Sequence, residues 1–319
     1  MIAVMADCAP LPGDRRRLFT DTPFRRQRRA EERMKALGAW LDFVKPEEVM
    51  LFLLRAVRAR RQVVIANHNS HSLYLMRRER WLREFYDSAD LVQVDSQPLI
   101  LWSKLRGRAA QRFHRSTYLD WRETFWAMAA AEGLKVYFVG GEPGVADRAT
   151  EALKSRWPGA EIGCHHGYFD CGDGAAANEE VLNKIAAFAP DVLLVGMGMP
   201  RQELWIHRNL DRLPHCAILP VGAAFDYEAG HQTAAPRWMG RLGVEWAYRL
   251  FADPRRMFSR YCIEPWFLLG AVLNDAVRPL DRAKPDLTEQ QLLEAAGRRG
   301  EWAPRGHDRR QTARAPVAG

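Results

Sequence analysis

The segment from Asp191 to Asn209 carries residue types suited to holding a ligand. A continuous apolar run, typical of a buried parallel strand, ends at Gly196 and Gly198, and Pro200 is placed to open an amphipathic helix. Glycines let the backbone approach a ligand closely, and a helix N-terminus presents unpaired N–H groups with a partial positive charge. The pattern predicts a binding edge for an anionic ligand, although many α/β proteins use it only as a tight turn.

A second candidate for chemistry is the carboxylate of Asp95, which directly follows an apolar run ending at Val94. In that position it could act as a general base that accepts a proton from a substrate hydroxyl group. The alternative is that Asp95 caps a helix beginning near Pro98. Position and residue type leave both interpretations open.

The glycine-rich loop from Gly140 to Gly144 also follows an apolar run and leads into a predicted helix. Its backbone N–H groups are suited to bind a diphosphate, and a tight turn without a ligand is the alternative. The spacing matches neither Gly-x-Gly-x-x-Gly nor the phosphate-loop pattern, so a nicotinamide-dependent oxidoreductase is a weak hypothesis. The absence of Gly-x-Ser-x-Gly disfavours an α/β-hydrolase.

The sequence gives little support to a metal site. His165 and His166 are adjacent, and neighbouring side chains on an extended chain point in opposite directions, so both rarely bind one ion. The motif Asp-x-Asp, the usual carboxylate pair that grips a metal and a sugar-nucleotide diphosphate, does not occur. We therefore expect no metal and no other cofactor, with helix dipoles, backbone N–H groups and arginines binding any diphosphate.

These candidate residues must be positioned by a sheet. The chain has 319 residues, of which 47% are hydrophobic, and can bury a sizeable core. Six apolar runs predict strands, with helical stretches between them: Gln62–Ala66, Leu91–Val94, Leu134–Val139, Ala160–Cys164, Asp191–Val195 and Cys216–Val221. This alternation predicts an α/β fold, a Rossmann-like and mostly parallel sheet with helices on both faces. Since ligands bind at the carboxyl ends of strands in such sheets, the loops after these strands should meet at one edge.

Composition predicts four regions along the chain. Residues 1–61 form a basic and partly helical N-terminal extension, poorly ordered up to about residue 40, and residues 62–235 form the sheet domain. Residues 236–280 form a C-terminal helical appendage, and residues 281–319 are expected to be a disordered tail. The appendage is predicted to contain two helices, Pro236–Phe251 and Pro254 to about Ala276.

The appendage and the charge distribution favour contact with a membrane surface. The second appendage helix combines arginines with aromatic residues, which suits a lipid interface. The formal net charge is +8, and the basic excess lies in the two flanks. This favours an anionic membrane surface or a phosphate-rich partner over nucleic acid, with a solvated tail as the alternative at the extreme ends. No secretory signal and no run of about 18 apolar residues occurs, so a cytoplasmic protein is expected.

Six motifs in sequence order resemble the WecG/TagA/CpsF family of bacterial glycosyltransferases, over about residues 62 to 275. They are Val139–Ala146, His165–Phe169, Leu194–Glu203, Val221–Tyr227, Ala235–Met239 and Leu242–Leu250, the last followed by Pro254-Arg255-Arg256. The resemblance implies an inverting, metal-independent transfer of a sugar from a UDP-sugar to a polyprenyl-diphosphate-linked sugar. It also implies peripheral attachment to the inner face of the plasma membrane.

The resemblance implies roles for individual residues. Asp95 would be the catalytic base, and Asn69 and Gln202 would hold the reacting sugars. The nucleotide would be bound by Gly140, Gly141, Pro143, Gly144, Gly196, Gly198, Phe225 and Asp226, with Arg112 also facing the donor. The C-terminal element that meets the lipid diphosphate would include Arg249, Arg256 and Arg260.

Three positions depart from the family pattern. Ser96 stands where relatives usually have glycine, His71 where several relatives have glutamate, and Asn67 where relatives often have threonine. Gln97-Pro98 resembles the branch that transfers glucose in exopolysaccharides, so glucose and N-acetylmannosamine are both candidate donor sugars. Ser96 and the altered segment from Asn67 to His71 motivate an alternative function, a non-catalytic protein that binds UDP-sugar as a sensor or scaffold.

Overall fold

A computed structural model describes residues 33–108, 110–231, 239, 247, 250–251 and 254–278. A hairpin of two antiparallel strands comes first, followed along the chain by six strands of one sheet. In chain order the strands are β1 Arg33–Ala36, β2 Ala39–Asp42, β3 Val63–His68, β4 Leu91–Val94, β5 Lys135–Gly140, β6 Glu161–His165, β7 Val192–Gly196 and β8 Ala217–Pro220. The order across the sheet is β4-β3-β8-β7-β5-β6, and every neighbouring pair is parallel. The predicted parallel sheet is therefore confirmed.

Helices fill the connections between the strands. They are α1 Pro46–Arg58, α2 Ser70–Leu75, α3 Arg80–Ser88, α4 Gln97–Leu105, α5 Tyr118–Glu132, α6 Val145–Arg156, α7 Ala176–Phe188, α8 Arg201–Asn209, α9 Ala224–Glu228, α10 Pro254–Phe258 and α11 Glu264–Val277. A 3-10 turn, Arg112–His114, lies between α4 and α5, and a π-helical segment, Ser259–Ile263, joins α10 to α11.

Both faces of the sheet are buried, as expected for parallel strands. In β5, Val136 and Phe138 belong to one core, whereas Tyr137 and Val139 belong to the core on the opposite face. The first core is completed by α1, α5, α6 and α9, and the second by the hairpin with α2, α3, α4, α7 and α8. The prediction of helices on both faces is confirmed.

The N-terminal hairpin differs from the sequence-based expectation of poor order up to about residue 40. Residues 33–42 form β1, a two-residue turn and β2, and Met34 and Leu41 are buried in the core beside β4. The carboxylate of Asp42 accepts a hydrogen bond from the backbone N–H of Val92 at 2.7 Å, which anchors the hairpin to β4. The signal was missed because each strand has only four residues and lies beside an arginine-rich stretch. Where the domains begin and end stays a prediction.

The second predicted appendage helix is present as α10, the π-helical segment and α11. One side of α11 packs on the body through Leu268 and Ala271, whereas Trp266 is 73% exposed and Leu273 is 62% exposed. Most of the predicted first helix lies outside the described residues. Within the described part of the chain, no helix has both the length and the apolar character needed to cross a bilayer.

Candidate functional site

The loops after β5, β6, β7 and β8 meet through glycine backbones. A Cβ atom on Gly140 would lie 2.4 Å from the carbonyl oxygen of Gly196, and one on Gly196 would lie 2.5 Å from that of Gly222. A Cβ atom on Gly167 would approach the Cα of Gly140 to 2.9 Å. At Gly140, Gly167 and Gly196 these distances leave no space for a side chain, so the close approach requires glycine there. Gly222 contributes its carbonyl oxygen, and nothing lies within 4 Å of a Cβ atom built on it. We call this contact of four glycines the glycine floor.

A pocket of about 340 Å³ opens on the glycine floor, at the carboxyl ends of the strands. Its volume falls in the range typical of small-molecule sites. Its lining comprises Gly141, Glu142, Gly167, Tyr168, Gly196, Met197, Gly198, Arg201, Gly222, Ala223, Asp226 and His231. Four predicted nucleotide residues, Gly141, Gly196, Gly198 and Asp226, are thus brought together in this pocket.

Other residues of the predicted nucleotide set do not line the pocket. The ring of Phe225 stacks on that of Phe138, with centroids 3.6 Å apart, and is fully buried, so it supports the floor from the core. Gly140 is buried within the floor, and Pro143 is exposed outside the lining. Gly144, at φ 80°, is the N-cap of α6. The sequence motif placed these residues near the pocket but could not separate lining from support.

Asp95 lies at the same edge of the sheet, after β4. Its backbone N–H donates to the carbonyl of His68 at 2.8 Å, which joins the ends of β3 and β4. Its side chain is 25% exposed, and Nη2 of Arg115 lies 3.8 Å from its Oδ1. Ser96, not Asp95, occupies the N-cap position of α4, so the capping interpretation of Asp95 is wrong.

Arg115 lies beside Asp95 and is positioned by the end of β4. It forms a β-bridge with Val94, and the backbone N–H of Ser116 donates to the carbonyl of Val94 at 2.9 Å. Arg112, the predicted donor-facing residue, lies one 3-10 turn earlier and is exposed. The structure therefore places Arg115, rather than Arg112, beside the candidate base.

Asn69 lies where β3 ends and α2 begins. Its Oδ1 accepts a hydrogen bond from the backbone N–H of Ser72 at 2.9 Å, so the side chain caps α2. Ser72 Oγ donates to the carbonyl of Asn69 at 2.7 Å and lies 2.9 Å from Nδ1 of His68. Burial lowers the pKa of His68 to about 3, so its ring is neutral and stacks on Tyr86. This network holds Asn69 at the sheet edge.

Gln202, in the first turn of α8, is almost fully buried and engaged at both ends of its amide. Its Oε1 accepts a hydrogen bond from the backbone N–H of Gly222 at 3.1 Å, and its Nε2 donates to Oε1 of Glu203 at 2.8 Å. The side chain therefore ties α8 to the loop after β8. Its predicted contact with a reacting sugar stays a prediction, because both polar groups face protein partners here.

The appendage is attached beside the candidate site through His71. Nδ1 of His71 lies 2.7 Å from Oε2 of Glu264, a buried residue in the first turn of α11. Burial, and next the charge of Arg260, lower the pKa of His71. Arg260 is thus the predicted appendage arginine whose side chain is placed near the site. Arg256 lies in α10 without a described side-chain position, and Arg249 lies outside the described residues.

A second attachment lies near the other end of α11, where Asp275 accepts three kinds of donor. Its carboxylate accepts from the backbone N–H of Leu37 at 3.2 Å and from Nε1 of Trp102 at 2.7 Å. Nη2 of Arg108 donates to both of its oxygens, at 3.0 and 3.1 Å. We call this group the Asp275 clamp. It joins α11 to the N-terminal hairpin and to α4.

Three residues of the site had no role predicted from the sequence: Arg201, Arg115 and Glu203. Nη2 of Arg201, in the pocket lining, donates to the carbonyl of Phe169 at 2.7 Å. Its place in the first turn after a glycine loop was a usable signal. Arg115 and the buried Glu203 gave no such signal, because their neighbours are distant in sequence.

The pair of histidines after β6 makes a local contact. Nδ1 of His165 lies 2.8 Å from the carbonyl oxygen of His166. Across the part of the chain that the structure describes, no group of three or more His, Cys, Asp or Glu residues is arranged to hold a metal ion.

A family model and several curated proteins match this chain. The model of the glycosyl transferase WecG/TagA/CpsF family matches residues 34–282, from β1 to beyond α11. Similar proteins include the N-acetylglucosaminyldiphosphoundecaprenol N-acetyl-beta-D-mannosaminyltransferases of Staphylococcus aureus strains COL and MW2, each 32% identical over 144 residues. These matches cover 45% of this chain and 55% of each relative, so the chain spans about half the length of the curated relatives it matches. Because the family model covers most of its length, the chain belongs to the WecG/TagA/CpsF family of glycosyl transferases.

Proposed function

We propose that this protein is an inverting, metal-independent glycosyltransferase that moves a sugar from a UDP-sugar to a polyprenyl-diphosphate-linked sugar. The reaction belongs to the synthesis of a bacterial exopolysaccharide or other cell-surface polysaccharide. The observation that carries the proposal is a pocket lined by glycine backbones and Arg201, on the same sheet edge as Asp95. Family membership and the lipid-linked acceptor named for the Staphylococcus aureus relatives support it.

The pocket on the glycine floor is the proposed donor site. Backbone N–H groups near Gly141 and Gly198 and the guanidinium of Arg201 suit the oxygens of a diphosphate. Asp226, at the start of α9, offers a carboxylate to the hydroxyl groups of a ribose. Negative charge grows on the departing diphosphate, and donors that are already in place stabilise it by several kcal/mol, the scale typical of such sites.

Asp95 is the proposed base. β4 lies two strands from β8, or about 10 Å at the usual strand spacing, so the sugar of the donor can extend from the pocket toward Asp95. The carboxylate takes the proton of the acceptor hydroxyl while that oxygen attacks the anomeric carbon from the face opposite UDP. One displacement of this kind inverts the anomeric configuration. Arg115 holds the carboxylate from the side.

The acceptor side of the proposed site includes the appendage. Arg260, with Arg256 and Arg249, supplies cations for the lipid diphosphate. The exposed apolar residues of α11 and α4 would rest on the inner leaflet: Trp266, Leu269, Leu273, Val277, Leu101 and Leu105. The protein would then work as a peripheral protein on the inner face of the plasma membrane.

A transfer assay tests the proposal. The protein is incubated with labelled UDP-glucose or UDP-N-acetylmannosamine and with glucosyl- or N-acetylglucosaminyl-diphosphate lipid. We expect release of UDP and a labelled lipid-linked disaccharide from one of the four pairs, with an inverted anomeric centre. Binding of UDP-sugar without release of UDP, across the panel, would instead support the sensor or scaffold.

Sedimentation with anionic vesicles tests the membrane contact. Replacing Trp266 and Leu273 with serine should weaken vesicle binding at least tenfold, because both side chains are exposed on α11. The matched control is Leu51→Ser, which alters a side chain of similar character, 47% exposed, on α1. Equal vesicle binding by the wild type and the double variant would remove α11 from the membrane contact.

A further inference from the structure

Glu203 is a buried carboxyl group that the proposed transfer chemistry does not use. Its relative exposure is 0%, and its Oε1 accepts the hydrogen bond from Gln202. Its Oε2 has no hydrogen-bond partner among the residues whose positions are described. Burying a polar atom in this way costs stability, and such atoms are rare in native proteins. A replacement by an apolar side chain would remove that cost, so the carboxyl group calls for a functional reason.

The group that Glu203 orients is the amide of Gln202. Of the two ends of the Gln202 amide, the backbone N–H of Gly222 can bond only to the oxygen, and the carboxylate oxygen of Glu203 can accept only from the nitrogen. The two partners together fix which end of the Gln202 amide points to which loop. Gly222 lines the donor pocket at φ 57°, so the position of its N–H depends on this contact.

The charged and titratable groups that interact with Glu203 come from two other elements. Arg260, in the π-helical segment of the appendage, interacts electrostatically with the Glu203 carboxylate. The carboxylate also interacts electrostatically with Tyr86 of α3. Arg260 also interacts with His71, which contacts Glu264 of α11. Glu203 is therefore connected to the donor pocket by its hydrogen bond with Gln202, and to the appendage by its electrostatic interaction with Arg260.

We infer that Glu203 is a positioning residue that couples the appendage to the donor pocket, with Arg260 as its counter-charge and Gln202 as its connection to Gly222. This inference depends on the proposed function, since it assigns UDP to the pocket. Attachment of the appendage holds the Glu203 charge in place, and the Gln202 amide then keeps the loop after β8 in the geometry that binds the nucleotide. Removing the carboxylate loosens UDP binding even where it strengthens the fold.

Calorimetry with UDP and thermal unfolding of the full chain test the inference. Glu203→Leu should unfold at the wild-type temperature or higher, yet bind UDP about tenfold or more weakly, because the amide of Gln202 loses one partner. Ser103→Ala is the matched control: it removes another fully buried oxygen without a hydrogen-bond partner among the described residues, in α4, and should leave UDP binding unchanged. Wild-type UDP affinity in Glu203→Leu would overturn the inference.

Glu203→Gln keeps the shape and the acceptor oxygen, and it decides the question if the leucine variant fails to fold. The affinity of the wild type for UDP should rise from pH 6 to pH 8, because the carboxyl group ionises and draws Arg260 toward it. This rise in affinity should be about threefold smaller in Glu203→Gln. All other groups are the same in the two proteins, so the difference between their pH profiles reports position 203. Identical pH profiles would overturn the inference while leaving transfer intact. A wild type that does not bind UDP would overturn the proposed function and this inference together.

Discussion

The donor side and the appendage side of the sheet edge are held by different kinds of contact. After β5, β6, β7 and β8, glycine backbones touch directly, and Gly140, Gly167 and Gly196 have no space for a side chain. After β3 and β4, the loops are held to their neighbours by charged or polar side chains, through Asp95 with Arg115 and His71 with Glu264. Backbone contacts contain no titratable group and have one geometry, whereas contacts between ionisable side chains respond to pH and to single substitutions. Under the proposed function, the fixed half would bind the nucleotide, and the adjustable half would bind the lipid-linked acceptor.

The largest expected effect lies on the side-chain half. Asp275→Ala leaves Arg108, whose side chain is 2% exposed, without its carboxylate partner. Breaking a buried pair in this way costs about 3–5 kcal/mol of unfolding free energy, measured by denaturant titration. Hydrogen exchange should show that α11 loses protection while β7 keeps it. Asn274→Ala, on the same helix, is the control, and a loss below about 1 kcal/mol for Asp275→Ala would contradict the importance of the clamp.

The glycine floor should be equally intolerant, for a steric reason. Gly196→Ala places a Cβ atom 2.5 Å from the Gly222 carbonyl oxygen and 2.7 Å from the Phe138 ring. We expect a loss of about 3 kcal/mol in unfolding free energy and weaker UDP binding. Gly270→Ala is the matched control, since nothing lies within 4 Å of its added Cβ atom, and it should be neutral or stabilise α11 by up to about 1 kcal/mol. Equal effects of the two variants would refute the floor.

Asp95→Asn separates chemistry from structure at the edge. The variant should fold normally and bind UDP. Its turnover should fall by about a hundredfold or more, because the amide cannot accept the proton of the acceptor. Steady-state release of UDP measures the rate, and circular dichroism checks the fold. The exposed Asp173→Asn serves as the control for loss of a carboxylate. Near-wild-type turnover would remove Asp95 from the mechanism.

The smallest of these effects is a pH dependence of stability that one buried group causes. Burial raises the pKa of Glu203 from its ordinary value of 4.5 to about 7. A group with a raised pKa in the folded state stabilises the fold fully below its unfolded value, and the contribution is lost as the pH rises through about 7. Between pH 5 and pH 7 the free energy of unfolding of the wild type should fall by about 2 kcal/mol relative to that of Glu203→Gln. Denaturant titrations at both pH values measure it, and parallel stabilities would contradict the pKa shift.

The fold was more predictable than the arrangement of the site. All six strands of the sheet were predicted from apolar runs, because buried parallel strands are apolar on both faces. The second appendage helix was predicted from Pro254 onward for a similar local reason. The family motif Val221–Tyr227 puts both Phe225 and Asp226 in the nucleotide set, and no local pattern shows that the ring of Phe225 turns to the core while Asp226 lines the pocket.

Features that depend on distant neighbours were not predictable in this way. Arg115 reaches Asp95 only because the chain after the 3-10 turn forms a bridge with Val94. The charge of Glu203 interacts with Tyr86 of α3 and with Arg260 of the appendage, which lie more than fifty residues away on either side in the sequence. Side-chain partners of this kind follow from the assembled fold rather than from spacing within a motif.

The Asp275 clamp also has a consequence for how the molecule is assembled during translation. The clamp joins Leu37 to Asp275, which are 238 residues apart, so it can close only after the ribosome has released almost the whole of α11. The hairpin is synthesised early and has to wait for this partner through the synthesis of every strand of the sheet. Docking of the appendage is therefore a late event in biogenesis, and it fastens the N-terminal hairpin to α11, two elements that lie near opposite ends of the described part of the chain.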